Sequence, residues 1–290
     1  MENKKSLNSQ IYLWMSLAMI TWAIAWTNAK IVNDYLSYYN LIFLRFLLGF
    51  LSLVPFVLYL KKPFPKLSEL RYIILPSFLF LVYNVAFFKG TDFGLAGKGA
   101  ILVTTLNPLF TVIIMSLISL KISKKEIIGV FLGILGGYII MDLSNEGLKS
   151  ILDAGNVYFV ICAISWGIMT VLINFAQKII NPYVFICSCY FLTMIMTIPF
   201  ISIGEIISVK YDFTFYINFF LVSMGAMSFG TSIYMFYTPI LGPTKASIFI
   251  FSVPFIAILM ANIFLNEPFT NNVLIGGLLS LLAIYIVNKK

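Results

Sequence analysis

The 290-residue chain has no histidine, only 11 acidic residues and only 10% charged residues in all. An ordinary soluble domain is about 25% charged. The scarcity of charge therefore excludes a soluble globular protein, because so many apolar side chains cannot be hidden in one core and must face lipid. The same composition excludes disordered and fibrous classes. Cysteine is scarce too: Cys162, Cys187 and Cys189 lie inside apolar segments. On a helix the last two point about 200° apart, so neither a disulfide framework nor a metal site is implied. No acid falls clearly in the middle of an apolar run, and the nearest, Asp92 and Glu267, belong to helix ends or turns.

What is present is hydrophobic. The chain is 61% hydrophobic and 17% aromatic, with 28 Phe and 16 Tyr, and its mean hydropathy is +0.99. A net charge of +8 raises the question of nucleic acid, but the 19 Lys and Arg flank apolar runs and form no basic face. No nucleic-acid partner is expected, and no cofactor. The basic start, followed by an apolar stretch with Ala23-x-Ala25, has the outline of a cleaved leader. The stretch 11–29 is nevertheless long enough to span a bilayer, and many more follow it.

Apolar runs of about 17 to 25 residues bounded by charge, Pro or Asn predict ten spans. They fall near 11–29, 38–60, 72–90, 96–119, 126–142, 154–176, 182–203, 215–237, 242–264 and 271–287. The fold class expected is an all-α integral membrane protein, with too little chain outside the spans for a soluble catalytic domain. Cytoplasmic loops retain Lys and Arg. With the N-terminus inside, twelve basic residues fall on the cytoplasmic side, among them Lys61, Lys62, Lys66, Arg71 and Lys121, against five outside: Lys30, Lys89, Lys98, Lys149 and Lys210. Both termini are then cytoplasmic.

Three landmarks recur along the chain. Trp22-Ala23 returns as Trp166-Gly167 at an offset of 144, Pro108 as Pro254 at 146, and Gly129 as Gly276 at 147. Five helices per unit is an odd number, so the second copy enters the membrane from the opposite side and the repeat is inverted. This divides the chain into a tail (1–10), a first five-helix unit (11–142), a connecting loop (143–153), a second unit (154–287) and a tail (288–290). WAIAWTNAK at 22–30, Arg45-Phe46, LNPLF at 106–110, GPTKASIFIFSVPF at 242–255 and LNEPF at 265–269 together resemble the EamA family of the drug/metabolite transporter superfamily. The resemblance covers nearly the whole chain. It implies two inverted five-helix repeats, a central cavity, export or exchange of small metabolites such as amino acids, and a bacterial inner membrane. The family usually carries Glu after both the fourth and the ninth helix. Here Glu267 is in place, but Leu120 or Lys121 stands at the first position.

An ionisable residue inside a bilayer is costly and is a functional candidate by default. Arg45 sits about seven residues into the second span, roughly 10 Å below its outer end, and suits a carboxylate or phosphate gripped bidentately. The alternative is a structural Arg that snorkels or caps a carbonyl. Its repeat counterpart is Cys189. Lys30, Lys89 and Lys98 end helices on the outer side, where snorkelling is the commoner role, and Lys245 lies near the cytoplasmic end of the ninth span. Trp22 and Trp166 fall at the same mid-span depth, about 16 Å in, where an indole N–H must bond a carbonyl or line a polar cavity. Trp26 lies one turn further along the first span. Asn28, Asn84, Asn107, Tyr83 and Tyr234 are further polar groups at span depth, as cavity lining or as interhelical bonds. Pro108 and Pro254 interrupt the middles of their helices as static kinks or as hinges for alternating access. The glycines of the fifth and tenth spans allow close helix approach, either between the two units or across a homodimer.

The leading expectation is a transporter of a small carboxylate-bearing zwitterion or anion. Uniport or exchange is favoured, because a proton-coupled pump normally needs a titratable group on its path; Asp92 is the residue through which coupling would run otherwise. A non-transporting scaffold or lipid-handling protein is the alternative. An intramembrane enzyme would need clustered nucleophiles, carboxylates or metal ligands at one depth, and the sequence has none.

Overall fold

The computed structural model describes residues 2–119, 122–147 and 154–288. Leu120, Lys121, Lys149 and the rest of 148–153 lie outside them. The described residues form helices and no strand. Ten long helical rods carry the architecture: α1 Glu2–Asn33, α2 Tyr38–Tyr59, α3 Arg71–Phe93, α4 Ala96–Ser119, α5 Lys124–Ile140, α6 Ala154–Ala176, α7 Pro182–Thr197, α8 Phe213–Leu241, α9 Pro243–Leu265 and α10 Asn271–Asn288. Seven of them, α2 to α4 and α6 to α9, are long and apolar enough to cross a membrane. The other three differ for visible reasons. Thr21, Thr27 and Asn28 dilute the apolar run of α1, α5 has 17 residues, and the apolar stretch of α10 is Asn271–Val287. The first helix also reaches back through most of the expected N-terminal tail.

Local chemistry sets the helix starts. Ser123 and Glu126 form a reciprocal capping box at α5. Asn181 caps α7 with Pro182 in its first turn. Asp212 caps α8 by accepting the Phe215 N–H at 2.8 Å and also accepts the Tyr35 hydroxyl at 2.8 and 3.0 Å. The Phe215 N–H, then the Tyr35 hydroxyl, hold the Asp212 carboxyl below its ordinary range. The same hydrogen bond raises the Tyr35 hydroxyl. An acid with a depressed folded pKa contributes stability above the ordinary carboxylate range and loses it as pH falls through the folded value. The stability gap between the wild type and Asp212→Asn is therefore expected to narrow when thermal unfolding is followed from about pH 7 down to about pH 3.

Packing relates the two halves. The principal helix pairs are α5–α10, α2–α7 and α4–α9, together with α3–α6 and α8–α1, α4–α6 and α9–α1, and α3–α7 and α8–α2. Exchanging each helix with the one five places later maps this set onto itself. Between α5 and α10 the backbones touch: a Cβ on Gly136 would lie 2.7 Å from the Gly276 carbonyl oxygen, and a Cβ on Gly276 would collide with that of Gly136. Gly129 meets Val287 of α10, and Gly133 meets Phe251 of α9. The close approach that these glycines permit is thus between the halves of one chain. Gly276→Leu would push against both the Gly136 backbone and the Ile140 side chain, and a destabilisation of about 1–3 kcal/mol is expected from overpacking, read as a lower melting temperature in detergent.

Candidate functional site

The functional candidates converge on a cavity lined by α1, α2, α3, α4, α6, α8 and α9. It has room for on the order of three waters. Trp22, Trp26, Arg45, Tyr83, Asn107 and Trp166 all line it. Aromatic rings from α1, α3 and α6 form part of its wall. The Trp22 and Trp166 rings meet edge to face at 5.1 Å, Tyr83 lies 5.0 Å from Trp166, and Trp26 packs on Phe87 at 4.8 Å. The Trp-Gly and Trp-Ala pairs have a steric basis. Gly167 lies so close to α4 that a Cβ there would be 2.8 Å from that of Phe110 and 3.4 Å from the Asn107 carbonyl oxygen. The small residue therefore brings Trp166 and Asn107 to one level, and Ala23, fully buried, takes the same place in α1.

Among the described residues Arg45 is the one charged residue that lines the cavity. Its Nε donates to the Val222 carbonyl at 3.0 Å and its Nη1 to Asn84 Oδ1 at 2.7 Å, while Phe87 and Phe88 flank the guanidinium at 5.5 and 5.8 Å. Asn84 is fixed in turn by the Phe80 carbonyl. All these partners are neutral. Among the described residues Arg45 forms no ion pair, so an unneutralised buried cation faces an enclosed space.

The remaining candidates lie elsewhere. Asn84 stands behind Arg45 rather than on the cavity surface. Tyr234 packs on Trp22 at 5.0 Å with its hydroxyl 3.0 Å from Thr170. Asn28 donates to Asn218 across the α1–α8 contact. Lys245 is exposed in the first turn of α9, and Asp92 is exposed near the end of α3. Pro108 sits within a continuous α4. Before Pro254, by contrast, α9 tightens to a 3₁₀ turn over Phe249–Ser252, where the Val253 N–H satisfies the Ile250 carbonyl.

Lys30 belongs to a different constellation. Its Nζ donates to the Gly94 carbonyl at 2.9 Å and lies 3.8 Å from Glu267. The buried Glu267 carboxylate accepts the Ala96 and Gly97 N–H groups, each at 3.0 Å, and so caps α4 from the other half of the chain.

Sequence reasoning missed one element altogether. Leu221–Thr231, in the middle of α8, is π-helical. Its wider turn presents carbonyls to three other helices: Val222 to Arg45, Ala226 to the Trp22 indole N–H at 3.0 Å, and Met227 to the Tyr190 hydroxyl at 2.9 Å. The stretch is rich in small residues (Ser223, Gly225, Ala226, Ser228, Gly230 and Thr231), a composition that does not by itself specify a π turn.

The EamA-like transporter family model matches the chain twice, over residues 9–142 and 153–289. Two proteins of Archaeoglobus fulgidus, each named an uncharacterized transporter, are 25% and 24% identical to it; the alignments cover 96% and 98% of this chain and 99% of each relative. A solved crystal structure superposes with a TM-score of 0.73 at 14% identity, covering 97% of this chain and 96% of that one, which is a likeness of fold. With two copies of the family model spanning the helices that enclose the cavity, the chain belongs to the EamA-like transporter family and is an integral membrane protein.

Proposed function

We propose that the protein crosses the membrane ten times as two inverted five-helix units, 11–142 and 154–287, with both termini cytoplasmic. In this reading it moves a small carboxylate-bearing metabolite, an amino acid or a related zwitterion or anion, through the central cavity by alternating access. The observation that carries the proposal is Arg45: a guanidinium buried at span depth, held only by neutral acceptors and facing a cavity lined in part by aromatic rings. A carboxylate supplies the charge that the site lacks, and the planar fork matches it geometrically. The exchange symmetry of the helix packing supports rocking of one half against the other around a midplane site. Among the described residues neither Asp nor Glu lines the cavity, and uniport or exchange is the favoured mode.

Counterflow in proteoliposomes tests this. Vesicles preloaded with unlabelled carboxylates are expected to accumulate the labelled acid saturably, with or without an imposed pH gradient. Strong stimulation by the gradient would replace exchange with proton coupling. If protein that is monodisperse and folded exchanges no carboxylate at all, the transport reading falls.

A further inference from the structure

The scaffold around the cavity is two-fold, but its hydrogen-bonding capacity is not. Trp22 and Trp166 are repeat counterparts, yet the Trp22 indole N–H reaches the Ala226 carbonyl and Thr231 Oγ1, whereas the Trp166 indole N–H makes no well-formed hydrogen bond and only leans toward the Tyr234 hydroxyl. Asn107 and Val253, paired by the offset of 146 that relates Pro108 to Pro254, both line the cavity. The carboxamide of Asn107 is fully buried, and neither its Nδ2 nor its Oδ1 makes a hydrogen bond. The two cavity threonines offer nothing further as donors, since the hydroxyls of Thr104 and Thr231 are spent on the backbone carbonyls of Ala100 and Ala226. A buried amide with both ends open is rare, because leaving it so is costly. Here it sits in the wall of the space proposed to receive substrate.

We infer that Asn107 reads the substituent next to the substrate's carboxylate, and that the cavity selects 2-amino and 2-hydroxy acids over unsubstituted ones. The inference rests on the transport reading above. Arg45 takes the carboxylate; Asn107 Oδ1 accepts the N–H or O–H on the adjacent carbon; Asn107 Nδ2 and the Trp166 indole N–H donate to the acceptors that remain. The polar head therefore lies to one side of the pseudo-two-fold axis, against α4 and α6, and the apolar remainder meets Trp22 and Val253. An unsubstituted acid of the same size leaves Oδ1 open in the bound state, and a site built to satisfy a polar group discriminates strongly against the analogue that lacks it. The room available favours short chains.

The test is counterflow of matched three- and four-carbon series: the plain acid, its 2-hydroxy and its 2-amino derivative. In the wild type the substituted acids are expected to exchange at least about tenfold more efficiently. In Asn107→Leu, which keeps the volume and removes both polar atoms, the ratio is expected to fall towards one. Asn107→Asp is expected to favour the 2-amino over the 2-hydroxy acid, since a carboxylate then faces the ammonium. Equal exchange of plain and substituted acids by the wild type overturns this inference and leaves the transport reading intact. A wild-type ratio that survives unchanged in Asn107→Leu removes Asn107 from the selection. Exchange of no acid by folded wild type defeats the transport reading itself and this inference with it.

Discussion

Arg45→Gln is expected to lower the initial rate of carboxylate counterflow about a hundredfold, the effect of removing one partner from a desolvated charge pair. The mechanism is specific. Glutamine keeps much of the length and one donor group, so the Val222 carbonyl or Asn84 Oδ1 retains a partner, but the charge and the second arm of the fork are gone. Arg45→Lys separates charge from shape: a lysine restores the positive charge without bidentate geometry, so intermediate rates with a raised KM are expected. Folding has to be followed alongside, because each acceptor left bare at this depth costs about 1–3 kcal/mol. Were Arg45→Gln to exchange carboxylates at the wild-type rate while remaining folded, Arg45 would be a structural tie between α2, α3 and α8 and nothing more.

Glu267→Ala is expected to destabilise the protein by about 3 kcal/mol or more, read as a lower melting temperature and a loss of monodisperse material. It strips the acceptor from the Ala96 and Gly97 N–H groups and leaves Lys30 without its carboxylate, which is how a buried pair becomes expensive to break. Glu267→Gln keeps one acceptor oxygen and is expected to fall between the two. The counterpart positions explain why the first half manages without such an acid. The offset of 146 pairs Glu267 with Lys121, Gly97 with Pro243 and Ala96 with Gly242. Proline has no N–H to satisfy, and the Gly242 N–H is already bound to the Thr238 carbonyl at 2.9 Å. The missing acid and the missing donors go together. If Glu267→Ala melts with the wild type, the cap is decorative and α4 is held by packing alone.

Much of the architecture was legible because its cause is written locally. Of the ten apolar runs, seven are helices long and apolar enough to cross a membrane, since the length of such a helix is set by the bilayer it must match. Trp22 with Trp166, and Pro108 with Pro254, pointed to the repeat that the two matches of the family model also trace. Arg45, Asn107, Tyr83 and the paired tryptophans were found as polar or amphipathic groups at span depth. What could not be read depends on rotation about the helix axes. Asn28 and Asn107 look alike in sequence, yet the first reaches Asn218 and the second is left open in the cavity wall. Lys30 sits where snorkelling is the ordinary reading, and its link to Glu267 joins residues more than 200 positions apart. The π-helical stretch was out of reach too, because its five-residue bonding leaves no periodic hydrophobic signature of its own.

That stretch has a mechanical consequence. A helix wound i to i+5 holds more residues in each turn than an α-helix does, so α8 stores surplus chain between Leu221 and Thr231. The surplus can be released only in whole residues, each release turning everything beyond it by about 100° and advancing it by about 1.5 Å. Tyr234, seated on Trp22 and Thr170, would swing out of place in a single click, and the carbonyls held by Arg45, Trp22 and Tyr190 would be let go as a set. Were that surplus released, the middle of α8 would turn as an indexed screw rather than stretch as a spring.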